Sequence, residues 1–215
     1  MMAAGYQSIN SSRGFTIVEL MISITVLSVV LLLCSAGIAR IGQVYYKGII
    51  SASTQQTSRN ISDDIARSIQ FSGGEIVTAP NVICIGELRY TYVLNAQSHK
   101  TITDPALNLS RHVLWRDTNP SLPACIPVNL SAPIPSPTGS DMVGEHMRLT
   151  QLDVVPSGTA GLYSVNTVLM YGDNEVIDMT PPAQRDWFCK NSGGFIIGSF
   201  CARSEQSTVV GKRLR

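Results

Sequence analysis

From Phe15 to Ala39 the chain is apolar with one charged interruption, Glu19. A bilayer needs roughly 20 apolar residues in a helix, so this run is long enough to span one. Past Arg40 the pattern becomes periodic. Ile41, Val44, Tyr45 and Gly48 recur at helical spacing, as do Ile61, Ile65 and Ile69. Asp63 and Arg67 stand four apart, as an ion pair on a helix surface would. Ser72-Gly73-Gly74 is a stop signal. The spacing predicts one helix from Phe15 to Phe71, apolar over 15–39 and amphipathic over 40–72. The alternative is two helices broken near Gly42 or Gly48, since an interior glycine costs about 1 kcal/mol.

From Glu75 the chain changes to short strand-like runs: NVICIG, LRYTYVLN, HVLWRD, MRLTQLDVV and LYSVNTVLMY. The alternation in MRLTQLDVV is imperfect, and LYSVNTVLMY ends in the turn signal Gly172-Asp173-Asn174. Residues 118–141 hold Pro120, Pro123, Pro127, Pro133, Pro135 and Pro137. That density forbids a helix or a central strand and predicts a surface loop, read as passive packing in preference to a partner-binding segment. The fold class is therefore α+β, with a long N-terminal helix packed on an antiparallel sheet in a head over 73–215.

Composition changes little in this picture. Charged residues make up 14% of the 215 and the net charge is +1, so bulk attraction to nucleic acid is not expected. The five cysteines matter more. Cys34 falls in the apolar run as a small apolar residue. Cys84, Cys125, Cys189 and Cys201 form no C-x-x-C pair, against a zinc or redox motif. In an exported chain, two disulfides follow. Three pairings are possible; Cys84–Cys125 with Cys189–Cys201 is favoured, because each pair is close in sequence and closes its own loop.

The N-terminal run admits a plain anchor or a cleaved secretory signal. The second fits poorly: the leader MMAAGYQSINSSRG holds one basic residue, and the apolar core is too long. A bulky Leu33 before Cys34 disfavours a lipoprotein. Neither reading accounts for Glu19, because a carboxylate at that depth is expensive and tends to be paired and functional.

The stretch RGFTIVELMISITVLSVV resembles the class III signal of type IV pilins and pseudopilins, with Gly14, Phe15 and Glu19 matching position by position. The resemblance implies a leader over 1–14, cut after Gly14 by a prepilin peptidase that then methylates the new amino group of Phe15. It further implies that Glu19 meets the terminal amine of a neighbouring subunit. A buried ion pair of that kind is better at fixing register than at adding stability. GLYSVNTVLMYGDNEV and FCK…GSFCARSEQSTVVGKRL look like the later part of PilW-type minor pilins, although Ser68-Ile69-Gln70-Phe71 departs from that group near the helix end.

The implied role is a minor pilin that helps initiate type IV pilus assembly. Its partners would be other minor pilins, the major pilin, the prepilin peptidase and the inner-membrane assembly platform, with ATP-driven extraction left to those partners. The implied location is the bacterial inner membrane, single-pass, with a periplasmic head and possible incorporation in the extracellular pilus. A minor pseudopilin of a type II secretion system and an adhesive or DNA-binding tip subunit are the alternatives.

Catalysis is not expected. His99, His112 and His146 lack metal-ligand spacing, and neither a G-x-S-x-G elbow nor a glycine-rich phosphate loop occurs. No cofactor or metal is expected. Asp173, Asn174, Glu175 and Asp178 suit a solvated turn better than a calcium site, lacking EF-hand spacing. Lys212, Arg213 and Arg215 read as a solvated basic tail rather than a phosphate contact.

Overall fold

The computed structural model describes residues 14–118, 124–190 and 200–213. Residues 1–13 of the expected leader, together with Pro120, Pro123 and Arg215, lie outside the described residues. The chain forms two compact units, Met1–Gly42 and Gln43–Arg215. Helix α1, Ile17–Phe71, contributes to both and carries Gly42 and Gly48 in its interior.

In the first unit the helix is apolar on every side. Its hydroxyls turn back on its own backbone: Ser23 donates to Glu19 O, Thr25 to Ile22 O, Ser28 to Ile24 O and Ser35 to Leu31 O. No hydroxyl in that series is left seeking water, which suits a helix in an apolar medium.

In the second unit, burial on the helix starts at Thr54 and follows Ser58, Ile61, Ser62, Ile65, Ala66 and Ile69. Ile61, Ile65 and Ile69 are fully buried, as their spacing predicts. The earlier apolar positions are not: Ile41, Val44 and Tyr45 are 71, 74 and 67% exposed. Their stripe has no sheet against it. The Asp63–Arg67 pair is not formed among the described residues. The neighbouring Asp64 is the one engaged, because it faces the strands: its Oδ2 accepts from Tyr90 Oη at 2.7 Å and lies 3.2 Å from Arg116 Nε.

Two five-stranded sheets enclose that helical stripe, where one was expected. The first has the order β1 (Ile76–Ala79), β2 (Val82–Ile85), β3 (Leu88–Tyr92), β6 (Leu114–Thr118), β7 (Ser140–Asp141) and is antiparallel throughout. The second has the order β12 (Ala202–Gly211), β9 (Leu162–Tyr171), β8 (Met147–Pro156), β4 (Gln97–Ser98), β5 (Leu109–Ser110). Its last pair, β4 with β5, is parallel. A small ribbon joins β10 (Ile177–Asp178) to β11 (Phe188–Cys189). One apolar core takes Ile61, Ile65 and Ile69 from the helix, Ile83, Ile85 and Leu114 from the first sheet, and Leu149, Leu152, Val165 and Leu169 from the second.

The faulty alternation of MRLTQLDVV has a cause. The β8–β9 register shifts between Leu149 and Gln151, so Thr150 is an extra residue. Inward positions are Met147 and Leu149 before the bulge, then Leu152 and Val154 after it. The Thr150 hydroxyl donates to Val168 O across the strand pair.

The described part of the proline-rich segment, from Ala124 on, is a surface loop as expected, with only Leu130 buried, and it is pinned to the outer face of the first sheet by the Cys84–Cys125 disulfide. Val128 N donates to Thr91 Oγ1, and His112 Nε2 approaches Pro133 O at 3.3 Å. Gly139 sits flat on Trp115: a Cβ there would fall 2.0 Å from the indole Nε1.

Ile65→Ala is expected to cost about 2–5 kcal/mol of unfolding free energy, the range for truncating a fully buried isoleucine, read by denaturant titration of tryptophan fluorescence. Burial raises the Tyr90 phenol above the ordinary tyrosine value, with the Ser68 hydrogen bond opposing and Asp64 adding. The folded state holds this proton more tightly than the unfolded chain, so the contribution is intact below about pH 10 and is lost as the pH climbs beyond it. Tyr90→Phe should flatten the fall in denaturation midpoint between about pH 9 and 11.

Candidate functional site

Gly14, Phe15 and Thr16 precede the helix outside regular secondary structure, and all three are exposed. A side chain at Gly14 would meet nothing within 4 Å. Phe15 is 81% exposed. Among the described residues nothing crowds the Gly14–Phe15 peptide bond.

Thr16 and Glu19 form a reciprocal cap. Glu19 N donates to Thr16 Oγ1 at 3.2 Å, while Thr16 N donates to Glu19 Oε2 at 2.9 Å. The threonine hydroxyl also donates to Oε2 at 2.9 Å. Leu20 N donates to Thr16 O, the first turn of the helix. This is the capping-box arrangement, in which two backbone N–H groups of the opening turn are satisfied by side chains. The carboxylate also stands at the positive end of the helix dipole. The signal for it was present in the sequence as Thr16-Ile17-Val18-Glu19; the assembly reading of Glu19 passed over it. Both hydrogen bonds from Thr16 to the carboxylate go to Oε2. Every atom of the cap lies on the Phe15 side of the Gly14–Phe15 bond, so hydrolysis there would leave it intact.

Around this turn the helix presents an unbroken apolar surface. Every large apolar side chain from Phe15 to Ile38 is between 49 and 81% exposed. Isolated soluble proteins rarely expose a patch of that extent. Among the described residues this is the one helix long and apolar enough to cross a membrane. Cys34, in the same run, is exposed and unbridged.

The other candidates lie in the head. The disulfides are Cys84–Cys125 and Cys189–Cys201. The acidic turn after β9 has internal employment: Asp173 Oδ1 accepts from Gln97 Nε2 at 2.6 Å, and Asn174 Oδ1 accepts from Arg148 Nη2 at 2.5 Å. Asp178 Oδ1 accepts from both Thr180 N and Thr180 Oγ1, which together hold its carboxyl below the usual carboxylate range. Among the described residues no group of three His, Cys, Asp or Glu side chains is placed to hold a metal ion. Arg148 is fully buried, and that burial pulls its guanidinium down to about 10.

The basic tail has a structural role that spacing did not reveal. Lys212 Nζ donates to Gly74 O at 2.6 Å, Arg213 N donates to Gln70 O, and the Arg213 guanidinium lies 5.0 Å from the Phe71 ring centre. Two cations thus meet the carbonyl-rich C-terminal end of α1, where the helix dipole favours positive charge.

Residues 9–35 match the family model described as the prokaryotic N-terminal methylation motif. Searches of curated proteins and of solved structures gave no significant match. The motif supports a type IV pilin-like prepilin, and the N-terminal apolar helix is compatible with membrane anchoring. Thr16→Ala should loosen the opening turn by about 1 kcal/mol, the usual worth of an N-cap. Hydrogen exchange of the amides of residues 17–20, in the full chain in detergent, should quicken several-fold.

Proposed function

We propose that the chain is a minor pilin of the PilW type that helps initiate type IV pilus assembly. The observation that carries this is the methylation motif set on a capped, fully exposed apolar helix. In this reading, prepilin peptidase cleaves after Gly14 and methylates Phe15. The helix from Phe15 onward rests in the inner membrane with the head in the periplasm. The assembly platform then draws it out to pack against helices of other minor pilins and the major pilin. The chain's part is structural, with no reaction of its own.

Glu19 has two tasks on this view. Oε2 keeps the first helical turn closed through Thr16, and Oε1 receives the methylated amine of a neighbouring subunit. The cap matters to the second task. It fixes the carboxylate rotamer beforehand, so less side-chain freedom is lost when subunits meet. A pair formed away from water gives little net stability but penalises any register in which a charge is left alone.

The mature protein should begin at N-methylphenylalanine, as intact mass and N-terminal sequencing would show; a retained leader would refute the reading. Glu19→Ala should still be processed. Its incorporation into fibres should fall by roughly a hundredfold, as about 3 kcal/mol for an unpaired buried amine implies. Immunoblots of sheared pili measure this, and normal incorporation would remove the docking role.

A further inference from the structure

One row of side chains crosses three strands on the outer face of the first sheet. Cys84 on β2 is directly opposite Arg89 on β3, which is directly opposite Asp117 on β6. Such cross-strand partners have Cβ atoms about 5 Å apart. All three residues are buried, at 3, 6 and 2% exposure. Arg89 directs two donors to Asp117: Nε to Oδ1 at 2.9 Å and Nη2 to Oδ2 at 2.5 Å. The third, Nη1, donates to the backbone carbonyl of Ile126 at 2.9 Å. Ile126 follows Cys125, whose sulfur is bonded to that of Cys84. The guanidinium that neighbours one cysteine therefore grips the main chain beside the other.

We propose that Arg89, oriented by Asp117, is a positioning residue for formation of the Cys84–Cys125 bond. It docks the proline-rich loop through Ile126 before the sulfurs are joined, and so selects this pairing. None of these three hydrogen bonds involves sulfur, so they are open to the dithiol chain as well. A buried guanidinium N–H without an acceptor is costly, and the Ile126 carbonyl supplies the acceptor only when Cys125 stands over Cys84. The two disulfides differ in their need for such help. Cys84 and Cys125 are 41 residues apart, against 12 for Cys189 and Cys201. Loop-closure entropy grows with that separation, so the longer loop gains more from a template. The chemistry is thiol–disulfide exchange with a small-molecule or protein disulfide. One cysteine thiolate attacks the oxidant, forming a mixed disulfide and releasing one thiol. The second cysteine thiolate then displaces the other thiol. Two electrons and two protons pass from the cysteine pair to the oxidant. This inference needs an oxidising compartment but does not depend on the pilin reading.

The test uses the full chain in detergent, carrying Cys34→Ser so that four thiols remain. The protein is unfolded, reduced, and returned to detergent with oxidised and reduced glutathione. Peptide mass mapping then follows each bond in time. Arg89→Lys keeps the charge but loses the planar fork, and should form Cys84–Cys125 about tenfold more slowly, the order of a charge-assisted hydrogen bond. The double variant Arg89→Met with Asp117→Leu removes both charges together, so neither is stranded. It should show the same delay while Cys189–Cys201 closes at the parental rate. Parental rates for Cys84–Cys125 in both variants would overturn the proposal.

Discussion

A helix that is apolar around its whole circumference favours being covered, and among the described residues of the first unit nothing covers it. From Phe15 to Ile38 the large apolar side chains stand open. At roughly 25 cal/mol for each Å² of apolar surface, leaving that surface in water is costly, which is compatible with a membrane anchor. The remaining features of this segment accommodate the same constraint. Its serine and threonine hydroxyls bond inward, and its opening amides are met by Thr16 and Glu19. The backbone and the polar side chains are thereby made tolerable in a medium without water.

The same helix behaves differently once its sequence turns amphipathic. Between Thr54 and Ile69 one stripe is buried against two sheets, and polar ties fix its rotation. Tyr90 and Arg116 from the first sheet converge on Asp64, and Thr167 from the second meets Ser62. Each sheet has a second covering on its far side. The proline-rich segment covers the first, with the buried Arg89–Asp117 pair beneath it. A small cluster of Met170, Ile177, Trp187 and Cys201 covers part of the second. Both coverings carry a disulfide, as suits layers with too little apolar area to hold themselves.

Much of this was legible because period and composition report burial. The isoleucine spacing located the packed helical face, and LYSVNTVLMY gave β9 to the residue. What escaped has definite causes. The Thr150 bulge scrambles the alternation of β8, so a strict period of two fails there although the strand is continuous. Strand β12, ARSEQSTVVG, was not picked out as a strand, because an edge strand with one face in solvent is mostly polar. One sheet was expected in place of two because pairing partners are set by tertiary contacts, not by local pattern. At the candidate site, Glu19 stood out as a carboxylate in an apolar run, whereas Gly14 and Phe15 were marked only by the resemblance to a class III signal. The cap is less legible, because a Thr-x-x-Glu spacing inside an apolar run serves a capping box and an unpaired membrane carboxylate equally well until the contacts are seen.

The clamp of Lys212 and Arg213 on the end of α1 has a consequence for biogenesis. Gly74 and Lys212 are 138 positions apart, and β12 must pair with β9 before those cations can reach the helix. A chain threaded across a membrane from its N-terminal side would present the helix long before the residues that seal it. The head would stay unfinished until the final strand emerged, and its maturation would follow translocation instead of accompanying it.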